Sequence, residues 1–429
     1  MRNRLNHLID EEVAIVGRSR QTTMLDVARI AGVSTSTVSH VVNGTRTVDP
    51  ATEMQVRTAI AQLGYRPNIV ARALATSRTM NIGLCLPITA NPTFVVLVDV
   101  IERRLTAAGY HLMLHDSRDD IAVQARTVRQ LLDLRADGII LAPAPDPALS
   151  DSVLPDSVPA DSVLSDSVLS DSVLSDSAPV ESVPVESVPA DPGRAEPGQT
   201  QPAFDPVARP DAGGIRTAID AHTPLVLIDR FAAADCDQVA SDGVEPMRAL
   251  TAHLAANGHR RIAVVAGLTG IGTTVERLQG YRDAVAAMGL DSDPELVIPG
   301  ESDLETTRAG VSALFSRSDR PSALVTTNNV MTLGSMRAFV DLGLRVPDDV
   351  ALVCFDDFEW TDLFTPRLTA MGQDLATMGD RAVQLLLRRI ADPTVDTQRL
   401  RVTPTFHHRD SCGCPPAPVV SADQHRRRG

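Results

Sequence analysis

Hydroxyl and imidazole side chains are concentrated between residues 34 and 40, where the chain reads Ser-Thr-Ser-Thr-Val-Ser-His. Each of these groups can donate and accept hydrogen bonds. Such groups can recognise the edges of DNA bases when a helix places its first residues in the major groove. This chemistry therefore requires a helix that starts near residue 35 and a second helix that holds it in place.

The residues on either side carry the end signals of two short helices. Thr23 and Asp26 form a capping pair, which predicts a helix over residues 24–31 that ends at the following glycine. Ser34 is a second N-cap and predicts a helix over residues 35–42. Two short helices joined by a glycine-containing turn form a helix-turn-helix unit.

A third helix is predicted over residues 50–63, since Asp49 can cap it and Pro50 suits its first turn. Beyond it, Pro67 and Asn68 predict a helix of about seven or eight residues, fewer than the roughly 12–15 that an isolated helix needs. A helix that folds only on docking is what a wedge in the DNA minor groove requires. The alternative for the first three helices is a small core without a nucleic-acid partner. The expected apolar face of the third helix comprises Met54, Val56, Ala59, Ile60 and Leu63.

Two longer patterns cover this region, Asp26-Val-Ala-x-x-Ala-Gly-Val-Ser-x-x-Thr-Val-Ser-x-x-x-Asn43 and Gly64-Tyr-x-Pro-Asn-x-x-Ala-Arg-x-Leu74. Through them, residues 23–78 resemble the DNA-binding head and hinge of the lactose/galactose repressor (LacI/GalR) family of transcriptional regulators. The resemblance implies a double-stranded DNA operator as a partner. It assigns base reading to Thr35, Ser36 and His40, minor-groove contacts to Ala71 and Leu74, and phosphate contacts to Arg72 and Arg78.

The net charge of −14 is distributed unevenly along the 429 residues. Residues 1–80 hold ten Arg and six Asp or Glu, a net charge of +4, whereas residues 81–429 carry −18. Phosphate contact is therefore expected at the N-terminal end only. Since so few positive charges bind DNA weakly, two heads are needed, which favours a homodimer on a palindromic operator.

From Asn81 onward, apolar strand-like runs alternate with helix patterns. This order predicts parallel sheets with helices on both faces. Two such halves resemble the periplasmic-binding-protein-like (type I) sensor of the same family, which binds a small-molecule effector in a hinged cleft. A polyol needs fixed donors and acceptors and an apolar face. The resemblance assigns effector binding to Phe94 as an aromatic lid, Arg277 as an anchoring arginine, Asn328, Asn329, and Asp356 as a hydroxyl-binding carboxylate.

Two of these assignments have alternatives. Arg277 and Asp356 could pair with each other instead of with an effector. Trp360, the only tryptophan of the chain, could bind an effector by stacking on a sugar ring, or it could fill the hinge.

Residues 151–190 interrupt the sensor pattern with eight acidic pentads such as Asp-Ser-Val-Leu-Ser. A five-residue period suits neither helix nor strand, and this density of proline, serine and acid predicts disorder. We expect an insertion over about residues 144–213 that leaves the carboxyl end of a strand, near the mouth of the cleft. An acidic interaction tether is the alternative.

His407, His408, Cys412 and Cys414 are of the types that bind zinc. Their spacing is not that of a zinc finger, and four ligands so close in sequence do not easily surround one ion. We therefore predict no metal site. No cofactor is predicted either, since no glycine-rich phosphate loop and no supported Ser/His/Asp set appears.

Other sequence features bound the class of protein. The absence of an apolar run of 18 residues predicts no membrane span, and the charged N-terminus does not resemble a signal peptide. Five scattered cysteines do not form a disulfide framework. A cytoplasmic protein is expected.

The sequence thus predicts an N-terminal all-α helix-turn-helix head with a hinge helix, followed by an α/β sensor of two doubly wound parallel-sheet subdomains. We predict a sequence-specific transcriptional repressor whose operator affinity changes with a sugar-like or nucleoside-like effector. The alternatives are a constitutive DNA-binding regulator with a non-functional sensor, and an enzyme on an α/β scaffold. The expected boundaries are residues 1–21 (unassigned extension), 22–67 (head), 68–80 (hinge helix and linker), 81–241 (first sensor subdomain), 242–369 (second subdomain), 370–397 (return to the first), 398–414 (final strand on the second) and 415–429 (tail).

Overall fold

The computed structural model describes residues 22–44, 46–65, 78–89, 91, 93–146 and 213–414. The chain divides into two compact units, residues 1–81 and 82–429. The predicted hinge residues Ala71, Arg72 and Leu74 lie outside the described residues, as do residues 147–212, which include the acidic pentads.

The part of the head that the structure describes consists of three helices, α1 (Met24–Ala31), α2 (Thr35–Asn43) and α3 (Pro50–Leu63). The predicted caps are confirmed. The Thr23 and Asp26 side chains each accept a hydrogen bond from the other residue's backbone N–H. Ser34 accepts from the N–H of Thr37, and Asp49 accepts from the N–H groups of the first turn of α3.

The three helices share a small core, which sets the orientation of α2. Val27 and Ala28 of α1, Val38 of α2, and Val56 and Ala59 of α3 are all buried. The prediction was wrong for Met54, whose 69% exposure places it on the outer face of α3.

The described residues of the second unit form two six-stranded sheets. The first subdomain contains β1 (Asn81–Leu86), α4 (Thr93–Ala107), β2 (His111–Asp116), α5 (Ile121–Asp133), β3 (Gly138–Leu141), α6 (Ile215–Asp220), β4 (Leu225–Ile228) and β5 (Asp237–Ser241). The second contains α7 (Val244–Ala256), β6 (Ile262–Ala266), α8 (Gly272–Met288), β7 (Val297–Pro299), α9 (Leu304–Phe315), β8 (Ala323–Thr326), α10 (Asn329–Leu342), β9 (Ala351–Phe355) and β10 (Thr369–Gly372). The chain ends in α11 (Leu375–Ala391), β11 (Arg399–Val402) and β12 (Thr405–His407).

The two sheets have the same strand arrangement. Their orders are β11-β5-β4-β3-β1-β2 and β12-β10-β9-β8-β6-β7. The inner pairs are parallel, with Ile139 opposite Leu225 in the first sheet and Val325 opposite Val353 in the second. Both sheets are covered by helices and their central strands are fully buried, as expected for doubly wound parallel sheets.

The C-terminal segment differs from the predicted boundaries. Residues 398–414 were expected to add a single strand to the second subdomain. Instead, β11 pairs in parallel with β5 of the first sheet, and β12 pairs antiparallel with β10 of the second. The expected return to the first subdomain at residue 370 is also too early, because β10 still belongs to the second sheet.

The two ends of the acidic insertion are held by one buried side chain of α5. The Gln124 Oε1 atom accepts from the N–H of Ala144 at 2.7 Å, and its Nε2 atom donates to the carbonyl of Gly213 at 2.9 Å. The insertion therefore leaves and re-enters the fold at a fixed point. Within the described ranges, no helix is long and apolar enough to cross a membrane.

Candidate DNA-binding head and effector cleft

The first turn of α2 presents the predicted base-reading residues. Thr35 and Ser36 are exposed, and His40 follows one turn after Ser36 on the same side of the helix. The Ser36 hydroxyl lies 2.7 Å from the hydroxyl of the cap residue Ser34. Of the two predicted phosphate contacts, Arg78 is among the described residues. It is exposed and lies just before β1. The head can thus offer hydroxyl and imidazole groups to base edges from one helix end.

The cleft lies at the carboxyl ends of strands from both sheets, the usual ligand position in open α/β sheets. Its volume is about 570 Å³, part of which is open solvent. Asp229 directly follows β4 and Asp356 directly follows β9, and both line the cleft. Each is almost fully buried, with 9% and 4% exposure.

Arg277, on α8, is held above the ring of Phe355. Its guanidinium carbon lies 3.8 Å from the ring centroid, and its Nη1 atom donates to the carbonyl of Thr327. Among the described residues, no ion pair joins Arg277 to Asp356. Asp356 instead accepts a hydrogen bond from the Nε2 atom of Gln373 at 2.6 Å. The alternative that these two charges simply neutralise each other is therefore wrong.

A second arginine, Arg230, lies on the other side of the cleft. It makes a two-pronged ion pair with Asp119, donates to the carbonyl of Pro143 at 2.9 Å, and lies 5.8 Å from the ring centroid of Phe94. Burial raises the pKa of the neighbouring Asp229 carboxyl; Arg230 and Arg277 oppose this shift, and Asp356 and Asp119 add to it. The cleft therefore combines buried carboxylates, guanidinium groups and one aromatic face.

The structure brings together most of the predicted effector-binding residues. Phe94, Arg277, Asn328 and Asp356 all line the cleft. Asn328 is already engaged, since its Oδ1 atom caps α10 through the N–H of Met331 and its Nδ2 atom donates to a serine hydroxyl. Its role is therefore largely to hold the loop.

Two predicted residues lie elsewhere. Asn329 is not among the lining residues, and its Nδ2 atom donates to the Thr93 hydroxyl at 3.1 Å, which joins α10 to α4. Trp360 packs against Phe358 and Phe364, with ring centroids 3.7 and 5.4 Å away. It fills an aromatic cluster and does not line the cleft.

Sequence reasoning missed several lining residues, which come from loops and from the first turns of α4 and α8. The Asp-Arg pair that ends β4 was visible as a charged pair after a buried strand, a signal that could have marked Asp229 and Arg230. The others lack such a signal. The missed polar residues are Asn91, Thr93, Asp119, Asp229, Arg230, Thr273, Thr274, Ser302, Thr327 and Gln373.

Comparison with known proteins matches both parts of the chain. Residues 23–68 match the model of bacterial regulatory proteins of the lacI family, and residues 251–412 match a periplasmic binding protein-like domain. The HTH-type transcriptional repressor PurR of Photobacterium profundum is 26% identical over 91% of this chain and 98% of its own length. The ribose operon repressor of Escherichia coli strain K12 is 28% identical over 91% of this chain and 99% of its own length. A solved complex of the transcriptional regulator CelR with cellobiose has a TM-score of 0.57 at 27% identity, covering 91% of this chain and 99% of that one.

A helix-turn-helix head joined to a two-sheet α/β sensor with a polar cleft defines a ligand-responsive transcriptional repressor, not an enzyme. The relatives match over nearly their whole lengths, so head and sensor are shared together. The chain belongs to the LacI/GalR family, and the predicted fold class is confirmed.

Proposed function

We propose that this repressor binds a palindromic operator as a homodimer, and that a sugar-like or nucleoside-like effector in the cleft sets its operator affinity. Such a protein works in the cytoplasm, where the DNA is. Base edges are read by Thr35, Ser36 and His40. The minor groove is entered by Ala71 and Leu74, and phosphates are contacted by Arg72 and Arg78.

Unpaired polar atoms in the cleft carry the effector proposal. The Nε atom of Arg277 and the Oε1 atom of Gln373 are buried and have no hydrogen-bond partner among the described residues. Leaving such a group buried and unpaired costs about 1–3 kcal/mol. Both residues line the cleft beside Asp356, so a ligand that supplies partners there recovers this free energy.

A hydroxylated ring fits the chemistry of these groups. Carboxylates accept from hydroxyl groups, guanidinium groups donate to them, and Phe94 offers an apolar face. Sugars and nucleosides share such a ring. The CelR structure contains cellobiose, and the ribose operon repressor is named for a sugar operon, which supports this class of effector.

The charge of the head supports a dimer. The first 80 residues carry a net charge of only +4, counting Arg, Asp and Glu. Since each phosphate neutralised by a basic side chain adds to DNA affinity, one such head holds DNA weakly. Two heads on one palindrome raise the affinity through effective concentration.

The experiment begins with selection from randomised duplex DNA by the full-length protein, which should return a palindromic site. A panel of sugars and nucleosides is then tested for binding by calorimetry. Asp356→Asn should weaken the compound that binds about ten- to a hundredfold, as expected from a lost charged hydrogen bond of about 1.5–3 kcal/mol. Asp348→Asn, at a position 62% exposed in the same subdomain, is the matched control and should change nothing. If no sugar or nucleoside binds the wild-type protein while the operator is bound tightly, the repressor is constitutive.

A further inference from the structure

Four side chains of the kind that bind soft metal ions converge on one point of the second subdomain. They are His253 on α7 and, from the C-terminal segment, His408, Cys412 and Cys414. One nitrogen or sulfur atom of each lies within 4.8 Å of those of the other three. The Cys414 Sγ atom lies 3.0 Å from the Nε2 atom of His408, 3.1 Å from the Nε2 atom of His253 and 2.7 Å from the Sγ atom of Cys412.

The backbone around this cluster is fixed by contacts that do not involve the four side chains. Ser411 accepts at its carbonyl from the N–H of Leu352 at 2.8 Å, and its hydroxyl accepts from the N–H of Thr369 at 2.8 Å. Asp410 donates its N–H to the carbonyl of Arg367 at 3.1 Å. The segment is therefore tied to the second sheet and presents its ligands to α7 in a set position.

The surroundings suit a closed structural site. Cys412 is fully buried within the apolar core of the second subdomain, and Cys414 packs against that core. The ring of Phe406 meets His253 edge-on, with centroids 5.2 Å apart. This set of two thiols and two imidazoles, partly buried and already close together, matches the Cys₂His₂ donor set of structural zinc sites.

We propose that His253, His408, Cys412 and Cys414 bind one Zn²⁺ ion. Zinc–sulfur bonds of about 2.3 Å and zinc–nitrogen bonds of about 2.0 Å place neighbouring ligand atoms roughly 3.3–3.8 Å apart in a tetrahedron. Three distances in this cluster, 2.7–3.1 Å, are shorter than that spacing, and all four ligand atoms lie within 4.8 Å of one another. The thiols and imidazoles must therefore move apart by up to about 1 Å, through side-chain rotation, to surround an ion. On binding, each thiol gives up its proton and the imidazoles bind in the neutral form.

The structure removes the reason for predicting no metal. In the sequence His408 stands beside His407, and four ligands in one short segment cannot easily surround an ion. In the structure the Nε2 atom of His407 lies 3.7 Å from a carboxylate oxygen of Asp357. The fourth ligand is His253 instead, which comes from a helix about 150 residues earlier in the chain. The ion would thus cross-link α7 to the C-terminal segment.

The test uses the full-length chain purified without an affinity tag and dialysed against metal-free buffer. Elemental analysis by mass spectrometry should find about one zinc ion per chain. Replacement by Co²⁺ should give the visible absorption of a tetrahedral ion and a thiolate-to-cobalt charge-transfer band in the near ultraviolet. Removing zinc with a chelator should lower the melting temperature.

The two adjacent histidines provide a matched pair of variants. His408→Asn and His253→Asn, both at partly exposed positions, should lose the zinc and the response to chelator. His407→Asn should keep both. Because Cys412 is fully buried and its replacement can disturb the core, the cobalt spectrum of the wild-type protein tests the thiolate ligands instead.

Three results would overturn the proposal. The first is wild-type protein that neither carries zinc nor takes up cobalt when fully reduced. The second is a native Cys412–Cys414 disulfide, detected by thiol counting in protein purified without reductant. The third is full zinc content in His253→Asn, which would remove α7 from the site.

Discussion

Asp229 and Asp356 occupy equivalent positions in the two sheets of the sensor. Asp229 directly follows β4 and Asp356 directly follows β9, and these two strands are third in the spatial order of their sheets. Each aspartate has a left-handed backbone, with φ of 70° and 76°. The N–H of Asp229 donates to Val239 of β5 at 2.9 Å, and that of Asp356 donates to Met371 of β10 at 2.9 Å. The fold thus places one carboxylate from each subdomain in the same cleft.

This pairing indicates how the cleft can act on the DNA-binding state. An effector that contacts both carboxylates binds best at one relative placement of the two subdomains. It can shift an equilibrium only by the difference between its affinities for the two states. An effector contact that does not depend on the relative placement of the two subdomains adds affinity, but it contributes less to the coupling between effector binding and DNA binding.

Asp229→Asn should make the ligand-free protein more stable at neutral pH and weaken effector binding. Burial raises the pKa of this carboxyl, so the folded state is penalised for holding it charged above its unfolded pKa of about 3.9. Asparagine keeps the shape, tolerates the left-handed backbone and removes this cost. Scanning calorimetry at pH 7 should show a melting temperature higher by a few degrees.

The pH dependence provides the control for Asp229. The stabilisation should shrink as the pH falls through the raised folded-state pKa and vanish below about 3.9, where the wild-type carboxyl is protonated in both the folded and the unfolded state. A stabilisation that is the same at pH 4 and pH 7 would show that ionisation is not its cause.

His40→Ala should flatten the sequence preference at one or two base pairs in each half-site, because a good base contact contributes about 1–3 kcal/mol of discrimination. Repeating the DNA selection with the variant measures this. Arg72→Ala is the contrasting variant. It should weaken binding to all sequences and reduce the salt dependence, because a phosphate contact carries no sequence information. An unchanged motif for His40→Ala would contradict the base-reading assignment.

Much of the fold was predictable because its signals are local. The bounds of α1 and α3 match the sequence prediction, since Thr23, Asp49 and the glycines after each helix act within one turn. The α/β alternation was clear because buried parallel strands are continuously apolar, as in β9 (Ala-Leu-Val-Cys-Phe).

The unpredicted features depend on partners distant in the chain. The strand β5 (Asp-Gln-Val-Ala-Ser) has too little apolar pattern to be recognised. Its buried Asp237 is compensated by partners far along the chain, Arg389 of α11 at 2.8 Å and the N–H of Gln398 at 2.8 Å. The pairing of β11 with β5 and the approach of His253 to Cys414 likewise require the folded chain. Trp360 had two open interpretations, and only the packed aromatic cluster distinguishes them.

Deleting residues 150–210 should leave operator binding intact and keep or slightly raise the melting temperature. Gln124 holds both ends of the insertion, at Ala144 and Gly213. For an insertion that is disordered, as the sequence predicts, shortening it about tenfold lowers its closure cost by about 2 kcal/mol. Thermal melts and operator titrations of the deletion variant measure both quantities.

Gln124→Ala is the matched variant for the deletion. It leaves the N–H of Ala144 and the carbonyl of Gly213 without their partner, at a cost of about 1–3 kcal/mol. A melting temperature that drops sharply in the deletion variant would mean that the insertion is itself part of the stable fold.

Leu74→Ala should reduce DNA bending and operator affinity without changing effector affinity in the absence of DNA. In the proposed function, two Leu74 side chains enter one base step at the operator centre, and unstacking it costs a few kcal/mol that the added contacts offset. Circular permutation measures the bend, and calorimetry measures effector affinity. Unaltered bending in the variant would contradict the wedge, whatever happened to affinity.

The central claim is that cleft occupancy and operator binding are linked, and a two-sided titration tests it most directly. Operator affinity is measured with and without saturating effector, and effector affinity with and without saturating operator. Both should change by the same factor, about 5–150-fold, because binding linkage is reciprocal. An effector that calorimetry shows to be bound, but that leaves operator affinity unchanged while its own affinity ignores the operator, would contradict the account.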